Sequence, residues 1–344
     1  MPQLTPRTSA IIACAATIAA IASAACARPV RTVTLPSGQR PVIAELWQEP
    51  AGRRDLFHGP GGKQLAPRET AFTFVAEDTS GFSPGFDVRD DSSMEWSVKT
   101  GPEDQSEVVT SRILWAIGFH QPPTYYLERW SLKGARTGAQ EPGRFRPDLP
   151  GRDVVGEWSW YENPFVGTPE YGGLIVTNLL LTSWDWKTSN NTIYQLDTPV
   201  NGVTRWFVVR DLGASLGRFT YPTIFRWFRL RGFGQGTRND LPGFEQQPFI
   251  ERIDGDSVEF AYKGIYRDVV STVTPDHVRW ACERLSRLSD GQWNDAFRAG
   301  GYTAGQTARY TKSIKEKVAQ GLQLTARNRR VRGRHVPTGA GDEP

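Results

Sequence analysis

Hydrophobic and polar residues follow two different periods along this chain. Residues 71–76, 86–89 and 95–99 alternate between apolar and polar side chains and are separated by turn-forming residues. A period of two is typical of half-buried antiparallel strands. Residues 102–118 begin with a proline and acidic residues and end at a glycine, and their apolar residues recur at helical spacing. This pattern predicts a helix. The first structured part is therefore predicted to be a small antiparallel sheet with one helix.

The later part of the chain is predicted to be mainly helical. Residues 170–181 form a long apolar helix, and three more helices are predicted towards the carboxyl end. A β-hairpin is predicted around the turn at 254–256, between strands at 249–253 and 257–262. The later helices cover residues 274–288, 291–299 and 304–324.

Three polar residues share a short loop after the long apolar helix. Asp185, Lys187 and Asn190 have the spacing D-x-K-x-x-N, and a strand-like run then ends at Asp211 after a turn at 201–202. Phosphoryl transfer uses a carboxylate to accept a hydroxyl proton, an ammonium to offset phosphate charge and oxygen ligands for Mg²⁺. A hairpin folded back at this turn would place Asp211 beside Asn190. The pattern predicts catalytic roles for Asp185 and Lys187, and metal ligation by Asn190 and Asp211.

This loop resembles the catalytic loop of protein kinases, and Asp211-Leu212-Gly213 resembles their metal-binding D-F-G motif. Ser183 and Trp184 stand where a histidine and an arginine usually precede the loop aspartate. That difference points to atypical kinases, such as HipA-like kinases and secreted kinase-like proteins. The resemblance implies an α+β, bilobal kinase-like fold, with a small antiparallel β lobe with one helix and a larger mainly helical lobe. It also implies ATP or another nucleotide, with Mg²⁺ or Mn²⁺.

Residues upstream of this loop occur in the order that a kinase-like nucleotide site requires. Gly81 and Gly85 lie in a loop between the first two predicted strands, where such folds cover nucleotide phosphates. Lys99 ends the third strand in the sequence Trp-Ser-Val-Lys, similar to the V-A-I-K lysine of kinases. The resemblance implies that Lys99 pairs with Glu107 on the next helix, with Glu103 as the alternative partner.

Composition shifts divide the chain into six predicted segments. They are a signal peptide (1–27), an extended N-terminal arm with short strands (28–68), a kinase-like N-lobe (69–132), an inter-lobe connection (133–156), a mainly helical C-lobe with a β-hairpin insertion (157–326) and a basic disordered tail (327–344). Arginine and aromatic residues at 226–231 could recognise an acidic or phosphorylated substrate, or form a solvated helix face with core aromatics.

Charge and the N-terminal segment bear on partners and location. The 344-residue chain has 38% hydrophobic and 23% charged residues, as soluble globular proteins do, and its net charge of +4 is too small to predict a nucleic-acid partner. An apolar run after Arg7, followed by small residues at 25–27, predicts a secretory signal peptide and an exported, periplasmic or extracellular protein. Ser23-Ala24-Ala25-Cys26 resembles a bacterial lipobox but lacks the leucine-like residue at its first position, so lipidation of Cys26, the one route to a membrane that stays open, is not the favoured interpretation.

The favoured function is an exported atypical kinase-like phosphotransferase that acts on an unknown hydroxyl substrate. Two other functions stay open. A pseudokinase-like binding or scaffold protein of the cell envelope would keep the fold without turnover, and the scarcity of ATP outside the cytoplasm favours it. An aromatic-rich ligand-binding protein unrelated to kinases would leave Asp185, Asn190 and Asp211 far apart. Structure separates this third function from the first two.

Overall fold

The computed structural model describes residues 28–34, 42–79, 85–220 and 235–333, with side chains up to residue 323. The predicted signal peptide with Cys26, the glycine at position 81 and the 226–231 cluster lie outside these ranges. Within them no helix is both long and apolar enough to cross a membrane.

The described ranges contain twelve β-strands and eight α-helices, together with three 3-10 turns at Ile43–Glu45, Gly59–Gly61 and Thr188–Asn190. The strands are β1 (Ala71–Asp78), β2 (Gly85–Arg89), β3 (Glu95–Thr100), β4 (Tyr125–Leu127), β5 (Trp130–Lys133), β6 (Gly138–Gln140), β7 (Gly143–Pro147), β8 (Arg152–Glu157), β9 (Asn191–Val200), β10 (Val203–Val209), β11 (Ile250–Asp254) and β12 (Ser257–Phe260). The helices are α1 (Gly62–Leu65), α2 (Asp104–Ala116), α3 (Pro169–Leu180), α4 (Leu241–Gln246), α5 (Arg267–Val270), α6 (Pro275–Ser286), α7 (Asp290–Ala299) and α8 (Ala304–Gly333).

The first lobe is a seven-stranded sheet with the strand order β4-β7-β3-β2-β1-β5-β6. Its neighbouring strands are antiparallel except for β1 and β5, which are parallel. Inward side chains such as Phe72, Val98 and Phe145 have no solvent exposure, and the rings of Phe72 and Phe145 lie 4.9 Å apart. Helix α2 contacts strands β7 and β4. A small antiparallel β lobe with one helix was predicted; the α+β fold class is confirmed, and the β1–β5 pair differs from the prediction because it is parallel.

The segment 133–156 is not the inter-lobe connection that the sequence predicted. Strand β7 lies between β3 and β4, where Phe145 pairs with both Val98 and Tyr125. Strand β8 joins a second sheet of order β10-β9-β8. The sequence concealed β7 because it contains one large apolar residue between two arginines, and both arginines are buried. The first lobe therefore extends to Pro147.

Helices α3, α6 and α8 pack together in the second lobe. Helix α3 begins at Pro169 because the Thr168 hydroxyl caps it by accepting a hydrogen bond from the Tyr171 amide. From Tyr171 to its end every residue of α3 is buried, so this helix is the centre of the larger core. The predicted hairpin is present as β11 and β12.

Two predicted boundary segments differ from the structure. The N-terminal arm was expected to be extended with short strands, yet its described part consists of 3-10 turns, the short helix α1 and isolated bridges from Arg31 to Glu162 and from Trp47 to Phe119. The tail was expected to be disordered from residue 327. Helix α8 instead continues to Gly333, and residues 334–344 lie outside the described ranges.

Two glycines on α3 allow α6 to approach closely. A Cβ atom on Gly173 would lie 2.0 Å from the Trp280 ring, and one on Gly172 would lie 2.2 Å from the His277 ring. We expect Gly173→Ala to lower the free energy of unfolding by about 1–3 kcal/mol because the added methyl overpacks this contact. Helix propensity alone predicts the opposite sign, a gain of about 0.5–1 kcal/mol.

Urea unfolding of the two variants Gly173→Ala and Gly305→Ala measures this difference. Position 305 is the matched control, because a Cβ there has no heavy atom within 4 Å, and it should be neutral or stabilising. Equal stability of Gly173→Ala and the unchanged protein would contradict the close helix contact.

Candidate functional site

The hairpin of β9 and β10 brings the two predicted metal ligands together. Asn191 pairs with Val209 at its open end, and the Arg210 amide donates a 2.7 Å hydrogen bond to the Asn190 carbonyl. Asp211 follows directly and has a φ of 51°, which is uncommon for a residue with a Cβ. Left-handed backbone at such residues clusters at functional sites. The hairpin therefore brings the backbone of Asn190 next to Arg210, the residue before Asp211, while metal ligation by Asn190 and Asp211 stays a prediction.

The D-x-K-x-x-N loop is held by its own polar groups and by one buried indole. The side-chain nitrogen of Asn190, Nδ2, donates a 2.8 Å hydrogen bond to the backbone carbonyl of Asp185. Lys187 Nζ donates a 2.8 Å hydrogen bond to the Asp185 carboxylate. Trp186 is 1% exposed, and its Nε1 donates to the Ser183 carbonyl. Because the indole anchors the loop in the core, Asp185 and Lys187 are directed outwards.

Lys99 connects the two lobes. It lies on β3 in the first lobe, and its Nζ donates to Asp211 Oδ1 at 3.2 Å. The two side chains are 24% and 31% exposed, so the pair opens to solvent. Gly85 pairs with Lys99 across β2 and β3, and a Cβ added there would meet Asp78 Cβ at 3.0 Å. Of the two predicted loop glycines, Gly85 is thus beside Lys99, and Gly81 is outside the described residues.

Glu107 does not pair with Lys99 as the resemblance implied. Its carboxylate lies 2.7 Å from Arg146 Nη2 and 3.2 Å from Arg144 Nε. These arginines come from β7, which is adjacent to both β3 and α2, so they reach the buried face of α2 where Glu107 lies. The expectation was wrong because the sequence had assigned β7 to a connecting segment. Glu103, the alternative partner, pairs with Arg238.

Four cationic side chains surround Asp211. Arg146 Nη2 lies 3.8 Å from its Oδ1, in addition to the contact with Lys99. Burial alone would raise the pKa of Asp211, but the positive charges of Arg146, Lys99, Arg144 and Arg210 hold this pKa well below its usual range. The carboxylate is therefore ionised across the physiological range.

Helix α2 also holds the D-L-G segment through uncharged groups. Ser106 Oγ donates to the Gly213 carbonyl at 2.6 Å, and the Thr110 and Ser215 hydroxyls lie 2.8 Å apart. A Cβ on Gly213 would lie 2.4 Å from Glu103 Cβ, so this close approach requires glycine. The position of Asp211 is therefore tied to α2 by packing and by buried hydrogen bonds.

The donor set suits a hard cation only in combination with a ligand that brings more oxygen atoms. One carboxylate (Asp211) and one amide (Asn190, whose nitrogen is already used) leave room for phosphate oxygens and water, as Mg²⁺ prefers. Among the described residues no group of three or more histidine, cysteine, aspartate or glutamate side chains could hold a metal. The residues fit a metal–nucleotide pair better than a metal alone.

Three residues of this site were not singled out in the sequence: Arg144, Arg146 and Arg210. The signal that could have found the first two is the alternation Arg-Phe-Arg, which places both guanidinium groups on one face of a strand. Arg210 directly precedes the D-L-G motif.

Comparisons with known proteins give little guidance. No family model matches the chain, and a search of curated proteins finds no match. Among solved structures, the crystal structure of a Helicobacter pylori proinflammatory kinase, CtkA, is similar with 13% sequence identity and a TM-score of 0.43, covering 75% of this chain and 97% of that chain.

The Glu107 contacts predict a large stability effect. We expect Glu107→Gln to lower the free energy of unfolding by about 3–5 kcal/mol, because it leaves two buried guanidinium groups without their carboxylate. Glu259→Gln is the control, because the Arg252–Glu259 pair is exposed and should contribute about 0–1 kcal/mol. Guanidinium chloride unfolding compares the two, and equal effects would contradict a structural role for the buried pair.

Proposed function

We propose that the protein is a kinase-like phosphotransferase that moves a phosphoryl group from a nucleotide, bound with Mg²⁺ or Mn²⁺, to a hydroxyl substrate. The observation that carries this proposal is the 3.2 Å contact between Lys99 and Asp211, which joins the β lobe to the end of the β9–β10 hairpin. Phosphoryl transfer by kinases uses a strand lysine at the phosphates and a D-F-G aspartate at the metal, and residues of both kinds lie together here between the two lobes. In kinases the lysine is held by a helix glutamate, whereas here it contacts Asp211.

Each residue of the site has a role in this proposal. Asp185 would orient the attacking hydroxyl and accept its proton, and Lys187 would offset charge on the transferred group. Lys99 would leave Asp211 and contact the phosphates when a nucleotide binds. Asn190 and Asp211 would hold the metal, which when bound neutralises charge on the phosphate oxygens.

A pseudokinase-like binding or scaffold protein is the second candidate. The specific observation in its favour is the 2.8 Å ion pair of Lys187 with Asp185, which occupies the proposed base with a neighbouring cation. The unrelated ligand-binding protein is disfavoured, because it would leave Asn190 and Asp211 far apart, whereas the Arg210 amide next to Asp211 donates directly to the Asn190 carbonyl.

Export and an acidic or phosphorylated substrate are further parts of the proposal, with lipidation at Cys26 as an alternative that is not favoured. They rest on sequence patterns at residues 1–27 and 226–231. Intact-mass measurement of the protein recovered from cells would show whether the first segment is removed and whether Cys26 carries lipid.

Nucleotide binding and turnover test the proposed site. We expect the unaltered protein to bind ATP or a related nucleotide more tightly with Mg²⁺ or Mn²⁺ than without. Asp211→Ala should abolish this metal dependence, because the metal loses its carboxylate ligand. Asp185→Ala should leave binding largely intact and reduce turnover by about 100- to 10,000-fold, the usual contribution of a general base. Calorimetry measures binding, and single-turnover assays measure transfer or hydrolysis.

Asp197→Ala is the matched control for both variants. Asp197 is exposed on the same hairpin, and its substitution removes the same charge. Metal-dependent nucleotide binding without turnover in the unaltered protein would favour the pseudokinase. Nucleotide binding that is absent, or that is indifferent to metal and to Asp211→Ala, would refute the proposed function.

A further inference from the structure

Three arginines from different parts of the chain converge below the Lys99–Asp211 pair. Arg144 and Arg146 project from β7, and Arg210 follows β10. Arg144 has no solvent exposure, Arg146 is 8% exposed, and Arg210 is partly exposed. Arg210 directly precedes Asp211, and Arg146 Nη2 lies 3.8 Å from Asp211 Oδ1, so both arginines belong to the surroundings of the same carboxylate. Like charges held this near each other are costly unless an anion lies between or beside them.

The arginines have hydrogen-bond donors that no described residue satisfies. Arg144 Nη2, Arg146 Nε and Arg210 Nε are buried, and none of these three atoms has a hydrogen-bond acceptor within the described ranges. A buried unpaired donor on a charged group is unfavourable, and native proteins rarely leave several of them in one place without a reason. The described residues therefore supply no acceptor for these three donors.

Positive side chains outnumber negative ones around Asp211 and Glu107. The four cations Lys99, Arg144, Arg146 and Arg210 face the two carboxylates of Glu107 and Asp211, which leaves an excess of two positive charges. The pairs Glu103–Arg238 and Asp185–Lys187 add both signs equally. Burial raises the pKa of nearby Asp104 to about 8, so it is mostly uncharged at neutral pH. One positive charge would remain in excess even if Asp104 were ionised.

We propose that Arg146 and Arg210 form, together with Lys99, a phosphate-binding cluster that holds a phosphate group of the ligand without needing a divalent metal. Lys99 and Arg210 are both partly exposed and would contact the phosphate oxygens, while the buried Arg146 would supply positive charge beside them. Guanidinium groups suit this role because they stay charged and donate in a planar fork. Assigning the phosphate to a nucleotide rests on the proposed function; the cluster itself does not.

The phosphate group bound by this cluster could belong to a nucleotide or to a phosphorylated substrate. Calorimetry in EDTA with tripolyphosphate, ATP, adenosine and O-phosphoserine as separate probes distinguishes these sources. We expect tripolyphosphate and ATP to bind without metal and adenosine to bind far more weakly. Arg210→Gln should weaken polyphosphate binding about tenfold or more, which is about 1.4 kcal/mol. Tighter binding of O-phosphoserine than of tripolyphosphate would assign the cluster to a phosphorylated substrate.

Two further variants make the test specific. Arg252→Gln removes the same charge from an exposed pair on β11 and should change polyphosphate binding less than twofold at equal ionic strength. Arg210→Lys keeps the charge but loses the planar fork, and it should weaken binding several-fold; it serves if Arg210→Gln fails to fold, as judged by its melting curve.

The outcomes separate this proposal from the proposed function. Equal binding by the Arg210 variants and Arg252→Gln, or no metal-free polyphosphate binding by the unaltered protein, would overturn the phosphate cluster. Metal-free polyphosphate binding that depends on Arg210, with no metal-dependent nucleotide binding and no turnover, would support the cluster and refute the phosphotransferase.

Discussion

The carboxylate of Glu107 lies where helix α2 meets strand β7, with almost no access to water. A buried carboxylate is unfavourable unless well-placed donors compensate for its lost hydration, and two guanidinium groups do so here. Arg146 has a second contact, because it also lies 3.8 Å from Asp211. One buried ionic network therefore ties the sheet to its helix and both of them to the end of the β9–β10 hairpin. The relative position of the two lobes depends on this constraint.

This network also determines what Lys99 can do. In the kinase scheme the strand lysine is held by the helix glutamate, and that pair sets the position of the helix. Here Glu107 is held by Arg144 and Arg146, and α2 is further tied to the D-L-G segment by the Ser106–Gly213 hydrogen bond. The helix consequently keeps its position without the lysine. Lys99 contacts Asp211, and exchanging that partner for a phosphate would leave the helix undisturbed.

Local patterns in the sequence were sufficient where short-range chemistry decides the structure. Alternating residues gave β1 to β3, the proline and acids before residue 104 gave α2, and the turn at Asn201 and Gly202 gave the hairpin that joins Asn190 to Asp211. The alternating pattern did not predict β7, because Arg144 and Arg146 are charged residues that nevertheless lie in the interior. They are buried there because both pair with Glu107, which lies 37 and 39 positions earlier in the chain. Pairing over that separation is decided by tertiary packing, which no local period records. The wrong partner for Glu107 follows from the missed strand.

If the protein has the proposed function, the charges of this site would couple metal binding to phosphate binding. Lys99, Arg144, Arg146 and Arg210 outnumber the carboxylates around Asp211, so a free divalent cation would approach a region that already repels it. A phosphate group reverses that balance, since its negative charges offset the cations and its oxygens supply the ligands that Asn190 and Asp211 alone do not. In the proposed function the anion would therefore complete the site for the metal, and Lys99 would exchange Asp211 for a phosphate oxygen as the two ligands enter together.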